Sequence, residues 1–187
     1  MKVLAISGSP RKKGNTMTLL ERALGILESK GFETELISLA DKKIEPCNAC
    51  MACNGKPECA IKDDFDFIYR KMLEADGLII GSPVYFGSAT PETMALLDRA
   101  GYVARKNGNL FSRKVGGPVV VARRAGQNFT FAQLLMWFMI NGLVVPGSSY
   151  WNISFGSHSC DVEKDEEGIK TLDNFAINIA WLLEKLR

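Results

Sequence analysis

The chain has 187 residues, 47% of them hydrophobic, and its 23 basic and 21 acidic side chains give a formal net charge of +2. This length and apolar content predict one domain over residues 1–187, and the mixed charges argue against nucleic acid or an anionic membrane as a partner. The N-terminal apolar stretch is too short for a signal peptide and no run could span a bilayer, so we expect a cytoplasmic protein.

Short β-branched runs alternate with helical patterns, which is typical of βα units around a parallel sheet. Strands are predicted at residues 2–7, 33–39, 77–82, 115–122 and 143–145, and helices at 19–27, 65–73, 91 to about 99, 129–140 and 172–186. We expect Gly31 to end the first helix in a left-handed conformation, Thr90 to cap the third, and Asp63 and Asp64 to cap the second. This alternation predicts a flavodoxin-like, doubly wound α/β sheet of order 2-1-3-4-5 with helices on both faces. Such a sheet binds ligands at the carboxyl ends of its strands, at the switch point between strands 1 and 3.

The loop after the first strand, residues 7–16, has the sequence SGSPRKKGNT. Its small hydroxyl residues, two glycines and following helix N-terminus offer many donors to a phosphate. Gly8 and Gly14 are spaced wrongly for a P-loop and no GxGxxG motif follows, so a monophosphate held by neutral donors fits better. The alternative is a plain polar turn, although ordinary βα loops are shorter, about two to six residues. The candidate donors are Ser7, Ser9, Asn15 and Thr16, with Arg11 as a further candidate.

The loops after the third and fourth strands begin at the same edge of the predicted sheet, the edge formed by the carboxyl ends of the strands. The first is a proline-stiffened turn with two aromatic residues, which can lie against a flat heterocycle. The second carries paired arginines, which can stabilise negative charge on a reduced ring. Either loop could instead be structural, with packed aromatics or solvated arginines. The candidate ligand contacts are Pro83, Val84, Tyr85, Phe86, Gly87, Arg123 and Gly126.

Four of the five cysteines lie in a loop predicted at residues 44–62, in the pattern CxxCxxCx5C. Short gaps lower the entropic cost of bringing thiolates together, and four thiolates are the full complement of an iron–sulfur cluster. The overlapping CxxC pairs favour a 4Fe–4S cluster, while zinc sites usually have a longer segment between two pairs. A redox-active dithiol, an empty thiol cluster and inert buried cysteines are the remaining alternatives. The candidate ligands are Cys47, Cys50, Cys53 and Cys59, and Cys160 is interpreted as structural.

Residues 129–140 are apolar nearly all round, so this helix must be buried on more than one side. A sheet covers only one face of a helix. We therefore expect a homo-oligomer, a dimer or a tetramer, to cover the rest.

The motifs SGSPRKKGNT, GSPVYFGS, LLDR and RRAGQN, together with the cysteine run and its trailing IKDDF, resemble the NADPH-dependent FMN reductase and iron–sulfur flavoprotein group of the flavodoxin-like superfamily. The resemblance implies an FMN with its phosphate on residues 7–16 and its ring against residues 83–88 and 123–126. It also implies a 4Fe–4S cluster on the four cysteines, near the flavin and usually in oligomers. The expected protein is an FMN-dependent oxidoreductase that relays electrons from a low-potential donor, ferredoxin-like or NAD(P)H. The alternatives are a cluster-free NAD(P)H-dependent FMN or quinone reductase and a zinc-stabilised binding module.

Overall fold

The computed structural model describes residues 1–186 and contains a five-stranded parallel sheet. The strands are β1 (Lys2–Ser7), β2 (Glu33–Ser38), β3 (Gly77–Pro83), β4 (Val115–Ala122) and β5 (Ile153–Phe155). The helices are α1 (Asn15–Ser29), α2 (Phe65–Glu74), α3 (Pro91–Lys106), α4 (Gln127–Ile140) and α5 (Glu166–Lys185), with a 3-10 helix at Asp161–Lys164. The strand order β2-β1-β3-β4-β5, with every pairing parallel, confirms the predicted sheet.

The sheet separates two apolar layers. Leu4 of β1 and Ile80 of β3 pack on one face with α2, α3 and α4. Val3 and Ile79, their neighbours along the same strands, pack on the other face with α1 and α5. Both central strands are continuous apolar runs because both faces of the sheet are covered. That residues 1–187 form a single domain stays a prediction.

The fifth strand lies later in the chain than predicted. Val144 makes an isolated parallel bridge with Val115 at the start of β4. Pro146 follows and has no backbone N–H for a sheet hydrogen bond. Pairing with β4 resumes only where Ile153 lies opposite Val120. The predicted strand at residues 143–145 is therefore wrong, although these residues do lie along the edge of the sheet.

Helix α3 is longer than predicted, since it continues about two turns beyond Arg99 to Lys106. Gly101, a poor helix former, lies inside it. A Cβ atom at Gly101 would lie 2.8 Å from Nε1 of Trp137, which donates to the carbonyl of Leu97 at 2.7 Å. Gly101 therefore permits close packing of α3 on α4. The predicted end near Arg99 is wrong, whereas the Thr90 cap and the positive φ of Gly31 (83°) are confirmed.

Helix α4 buries one face and exposes another. Leu134, Trp137 and Phe138 are buried toward the sheet and α3. Phe129 and Met136, by contrast, are 77% and 69% exposed in the single chain. Although α4 is apolar, no helix within residues 1–186 is long and apolar enough to cross a membrane.

Candidate functional site

The loops after β1, β3, β4 and β5 meet at one edge of the sheet and enclose a cavity of about 210 Å³. This edge contains the carboxyl ends of the strands, beside the switch point between β1 and β3. We call residues 7–16 the phosphate loop and residues 44–62 the cysteine loop.

Most of the predicted ligand contacts line this cavity: Ser9, Arg11, Asn15, Thr16, Pro83, Val84, Tyr85 and Arg123. Four others, Ser7, Phe86, Gly87 and Gly126, are not part of its lining. Sequence reasoning missed Pro10, Gly14, Val121, Gly156 and Ser157, which also line it. Gly156 and Ser157 follow β5, so the misplaced fifth strand concealed them. Gly14 directly precedes α1, and that position could have identified it.

The first turn of α1 is suited to an anion. Gly14 precedes it in an extended conformation, and within the described chain no side chain caps this turn and no acidic residue lies in it. The positive end of the helix dipole is therefore directed into the cavity without compensation. Nδ2 of Asn15 donates to the carbonyl of His158 at 2.8 Å. Oδ1 of Asn15 and Oγ of Ser7 are buried and have no partner among residues 1–186.

The N-terminus of α3 fixes the backbone of the phosphate loop. The amide of Gly8 donates to the carbonyl of Gly81 at 2.7 Å, and its carbonyl accepts from Oγ1 of Thr90 at 2.7 Å. A Cβ atom at Gly8 would lie 1.7 Å from Oγ1 of Thr93. Only glycine therefore fits here without displacing α3.

A tight turn projects from the edge after β3. Tyr85 and Ser88 exchange backbone hydrogen bonds of 2.8 and 3.0 Å, and the two residues between them have positive φ, 51° at Phe86 and 82° at Gly87. Two successive positive φ values define a type I′ turn, which favours Asn-Gly rather than Phe-Gly. The Phe86 side chain is fully exposed at the tip. Gly126, with a φ of 86°, packs against Val84 and Gly87, so the loops after β3 and β4 touch.

All four cysteines of the cysteine loop line a single small cavity of about 20 Å³. Cys47 and Cys50 are exposed, Cys53 and Cys59 are buried, and all are free thiols. Burial raises the pKa of the Cys53 thiol, and the nearby thiols of the other three raise it further. Within residues 1–186, however, no three Cys, His, Asp or Glu side chains are arranged as a metal-binding group. The four thiols thus share a cavity without converging on one point.

Helix α3 is the platform on which the cysteine loop lies. Nδ2 of Asn107 donates to the carbonyl of Cys53 at 2.9 Å and to that of Lys56 at 3.0 Å. Two turns earlier, Arg99 is buried against the loop and contacts Asp63. Burial alone would lower the pKa of Arg99, but the Asp63 carboxylate and the Cys59 thiol raise it above its ordinary value.

The two aspartates before α2 both accept hydrogen bonds from backbone amides at the start of the cysteine loop. Oδ1 of Asp63 accepts from the amide of Phe65 at 3.1 Å, while Oδ2 accepts from the amide of Glu45 at 2.8 Å and from Arg99 at 2.6 Å. Asp64 makes no capping hydrogen bond to α2 among the described residues. Its Oδ2 accepts instead from the amide of Lys43 at 2.8 Å. Both carboxylates hold the start of the cysteine loop. Asp64 occupies the predicted N-cap position of α2, but its side chain does not bond to the helix.

The family model for NADPH-dependent FMN reductase matches residues 1–158. The chain belongs to this family. An iron–sulfur flavoprotein of Methanocaldococcus jannaschii is 39% identical, with 100% of each chain covered, and one of Methanosarcina thermophila is 37% identical over 100% of this chain and 97% of its own length. The chain is therefore an FMN-dependent oxidoreductase.

Among solved structures, RosB with a bound intermediate has a TM-score of 0.80 at 20% identity, and the match covers 100% of this chain and 80% of the RosB chain. An archaeal flavodoxin has a TM-score of 0.65 at 15% identity, covering 98% and 99%.

The residues at the sheet edge fit FMN. The uncapped first turn of α1, the buried Asn15 and the exposed guanidinium of Arg11 form an anion-binding end of the cavity. Pro83, Val84 and Tyr85 give its other wall apolar and aromatic surface. A phosphate at the first end and a flat ring on the second match this division.

Proposed function

We propose that this protein binds FMN at the sheet edge, holds a 4Fe–4S cluster on its cysteine loop, and relays electrons between a low-potential donor and an acceptor. The observation that carries the proposal is the cavity that the four free thiols of the cysteine loop share with side chains of α3, the helix whose N-terminus also holds the phosphate loop. Thr90 contacts the phosphate loop and Arg99 contacts the cysteine loop, and along α3 these two residues are about 14 Å apart, at about 1.5 Å per residue. The name of the relatives, iron–sulfur flavoprotein, supports the proposal.

The proposed FMN phosphate lies on the phosphate loop, and the ring lies against residues 83–87 and 123–126. Bound FMN supplies chemistry in steps of one or two electrons, while the chain sets its position and potential. The helix dipole of α1 stabilises the phosphate, and Arg123 stabilises negative charge on the ring. The proposed phosphate donors are Ser7, Ser9, Arg11, Asn15 and Thr16; the proposed ring contacts are Pro83, Val84, Tyr85, Phe86, Gly87, Arg123 and Gly126.

The proposed cluster ligands are Cys47, Cys50, Cys53 and Cys59. Four thiols are the donor set that a 4Fe–4S cluster requires, and a bound cluster supplies one-electron transfer. The thiols of the described chain do not converge on one point, so they must change position to bind a cluster. Cys47 and Cys50 lie on the solvent side and can do so without disturbing the core.

The second candidate is a cluster-free reductase that oxidises NAD(P)H and reduces FMN or a quinone. Two observations favour it: the family description names NADPH, and the thiols of the described chain are not arranged as a metal-binding group. The electron donor that the protein accepts distinguishes the two candidate functions. Steady NAD(P)H oxidation by the pure protein indicates the reductase, whereas reduction only by ferredoxin or dithionite indicates the relay.

We also propose that the protein works as a homo-oligomer in the cytoplasm. The exposed face of α4 and the segment after it border an apolar groove of about 810 Å³, lined among others by Phe131, Met139 and Trp151. An exposed apolar surface of this kind is typical of an interface. Clustered free thiols suit a reducing compartment.

Anaerobic purification tests the cluster directly. We expect FMN, iron and acid-labile sulfide in the protein, with about four irons and four sulfides for each chain. Cys50→Ser should lose iron and sulfide and keep FMN. Cys160→Ser is the matched control, because this exposed thiol lies outside the cysteine loop. Stoichiometric zinc without sulfide, or unchanged iron in Cys50→Ser, would refute the cluster assignment.

A further inference from the structure

The Arg99 side chain is buried where a charge is costly. Its side chain is 1% exposed, and that of its partner Asp63 is 2% exposed. The guanidinium also lies 4.1 Å from the ring centroid of Phe65. Buried charges need a full set of partners, so the number of hydrogen bonds that this guanidinium makes is informative.

One guanidinium holds both ends of the cysteine loop. Nη1 donates to the carbonyl of Glu45 at 3.0 Å, two residues before Cys47. Nη2 donates to the carbonyl of Ile61 at 3.1 Å, two residues after Cys59. The same Nη1 donates to Asp63 at 2.6 Å. One side chain of α3 therefore contacts both ends of the segment that contains the four thiols, and the Asp63 carboxylate joins the same ends through the amide of Glu45.

One nitrogen of the guanidinium makes none of these hydrogen bonds. Nε of Arg99 is buried and has no hydrogen-bond partner within residues 1–186. Arg99 also lines the cavity that the four cysteines line. Deprotonated thiolates and cluster sulfides are acceptors, whereas neutral thiols are weak ones. The unpaired donor thus lies beside groups that become acceptors when the thiols bind a metal.

We propose that Arg99 is the positioning residue of the cysteine loop: its Nη groups close the loop, and its Nε–H and positive charge stabilise the metal-bound thiolates. Lysine could not replace it, since a single ammonium cannot span the Glu45 carbonyl, the Ile61 carbonyl and the thiol cavity in a fixed geometry. The inference rests on the proposed function in one respect only, that the thiols bind a metal.

The test uses Co²⁺ added to the reduced, cluster-free full-length protein under anaerobic conditions, so it does not depend on cluster assembly. Thiolate-to-cobalt charge-transfer absorption reports both affinity and the energy of the sulfur electrons. Arg99→Met keeps the bulk and removes the charge. We expect at least a tenfold rise in its Co²⁺ dissociation constant and a shift of its charge-transfer band to longer wavelength.

Asn107→Ala is the matched control, because Asn107 also anchors the loop to α3 but is uncharged and does not line the thiol cavity. We expect weaker Co²⁺ binding without a band shift. Arg99→Lys should keep the wild-type band and lose affinity. Wild-type affinity in Arg99→Met, or the same unshifted band in Arg99→Met and Asn107→Ala, would overturn the proposal.

Folding is monitored by circular dichroism and FMN content, which should be retained because Arg99 does not line the flavin cavity. If Arg99→Met does not fold, Arg99→Lys decides alone, and wild-type Co²⁺ affinity in that variant overturns the proposal. Wild-type protein that binds Co²⁺ but contains no iron or sulfide after anaerobic purification would refute the cluster, while the role of Arg99 would still be decided by the cobalt spectra.

Discussion

Thr90, the cap of α3, donates its hydroxyl to the carbonyl of Gly8 at a distance of 2.7 Å. This hydrogen bond joins the start of α3 to the phosphate loop, while Arg99 and Asn107 join the same helix to the cysteine loop. The two proposed cofactor sites therefore share one helix.

Gly8→Ala should weaken FMN binding. The new methyl would lie 1.7 Å from Oγ1 of Thr93, so the phosphate loop or α3 must move. We expect at least a hundredfold loss of affinity, about 2.7 kcal/mol, measured by quenching of flavin fluorescence. Gly25→Ala in α1 is the control, since no described atom lies within 4 Å of that position. Its affinity should be unchanged and its stability higher by up to about 1 kcal/mol. Equal affinities for both variants would contradict the proposed role of this loop.

Asn15→Asp should also weaken FMN binding. It places a carboxylate, buried among residues of the phosphate loop, beside the proposed phosphate, where like charges repel. We expect a loss on the order of tenfold or more, measured by calorimetry with FMN. Riboflavin, which has no phosphate, is the control ligand and should show a smaller loss. The same loss for both ligands would place the phosphate elsewhere.

Phe86→Asn should raise the stability of the flavin-free protein and lower its affinity for FMN. Asparagine tolerates positive φ better than phenylalanine, so the free energy of unfolding of the flavin-free protein should rise by about 1 kcal/mol. If the flavin ring lies against this turn, FMN affinity should fall at the same time. Phe129→Asn is the control, because this exposed phenylalanine has helical backbone and no strain to relieve. Urea denaturation and FMN titration measure the two effects, and a variant that keeps full FMN affinity would remove Phe86 from the proposed ring contacts.

Met139→Glu should dissociate the proposed oligomer. Met139 lines the apolar groove and is 65% exposed on α4, so a charge there costs little in one chain but much at an apolar interface. Ile177→Glu on α5 is the control at a 44% exposed apolar position outside the groove. Light scattering coupled to size exclusion should show monomers for the first variant and wild-type mass for the second. A monomeric wild-type protein would remove the oligomer altogether.

The Asp63–Arg99 pair predicts how stability depends on pH. Although burial raises the pKa of Asp63, its hydrogen bonds from Arg99 and from the amides of Glu45 and Phe65 lower it below the ordinary value of about 3.9. The folded state therefore binds fewer protons than the unfolded state. The contribution of Asp63 is present above about pH 4 and is lost as the pH falls through the lowered folded pKa.

Asp63→Asn should cost about 3–5 kcal/mol near neutral pH, because it leaves Arg99 buried and unpaired. It should also reduce the slope of stability against pH below about pH 4. Asp64→Asn is the control, since Asp64 is 36% exposed and its pair with Lys42 is weak, worth about 0–1 kcal/mol. Urea denaturation of the flavin-free proteins between pH 3 and 7 measures both, and equal losses for the two variants would count against the buried pair.

The sequence predicts well what depends on neighbouring residues. The continuous apolar run of β3 and the Thr90-Pro91 start of α3 are local signals, and both are confirmed. The end of α3 was missed because Gly101 is required by Trp137, a residue on another helix. The Arg99–Asp63 pair was missed for the same reason. Each residue lies in a motif, LLDR or IKDDF, but the two are 36 residues apart and no local signal pairs them.

The anchors of the cysteine loop also set the order of assembly. During synthesis the four cysteines emerge first, and Arg99 and Asn107 follow some 40 or more residues later. Until α3 has formed, the hydrogen bonds from Arg99 and Asn107 to Glu45, Cys53 and Ile61 cannot form. We therefore expect the nascent thiols to be exposed to oxygen and stray metal ions for that interval. Insertion of the proposed cluster would then be a late step that follows the folding of α3.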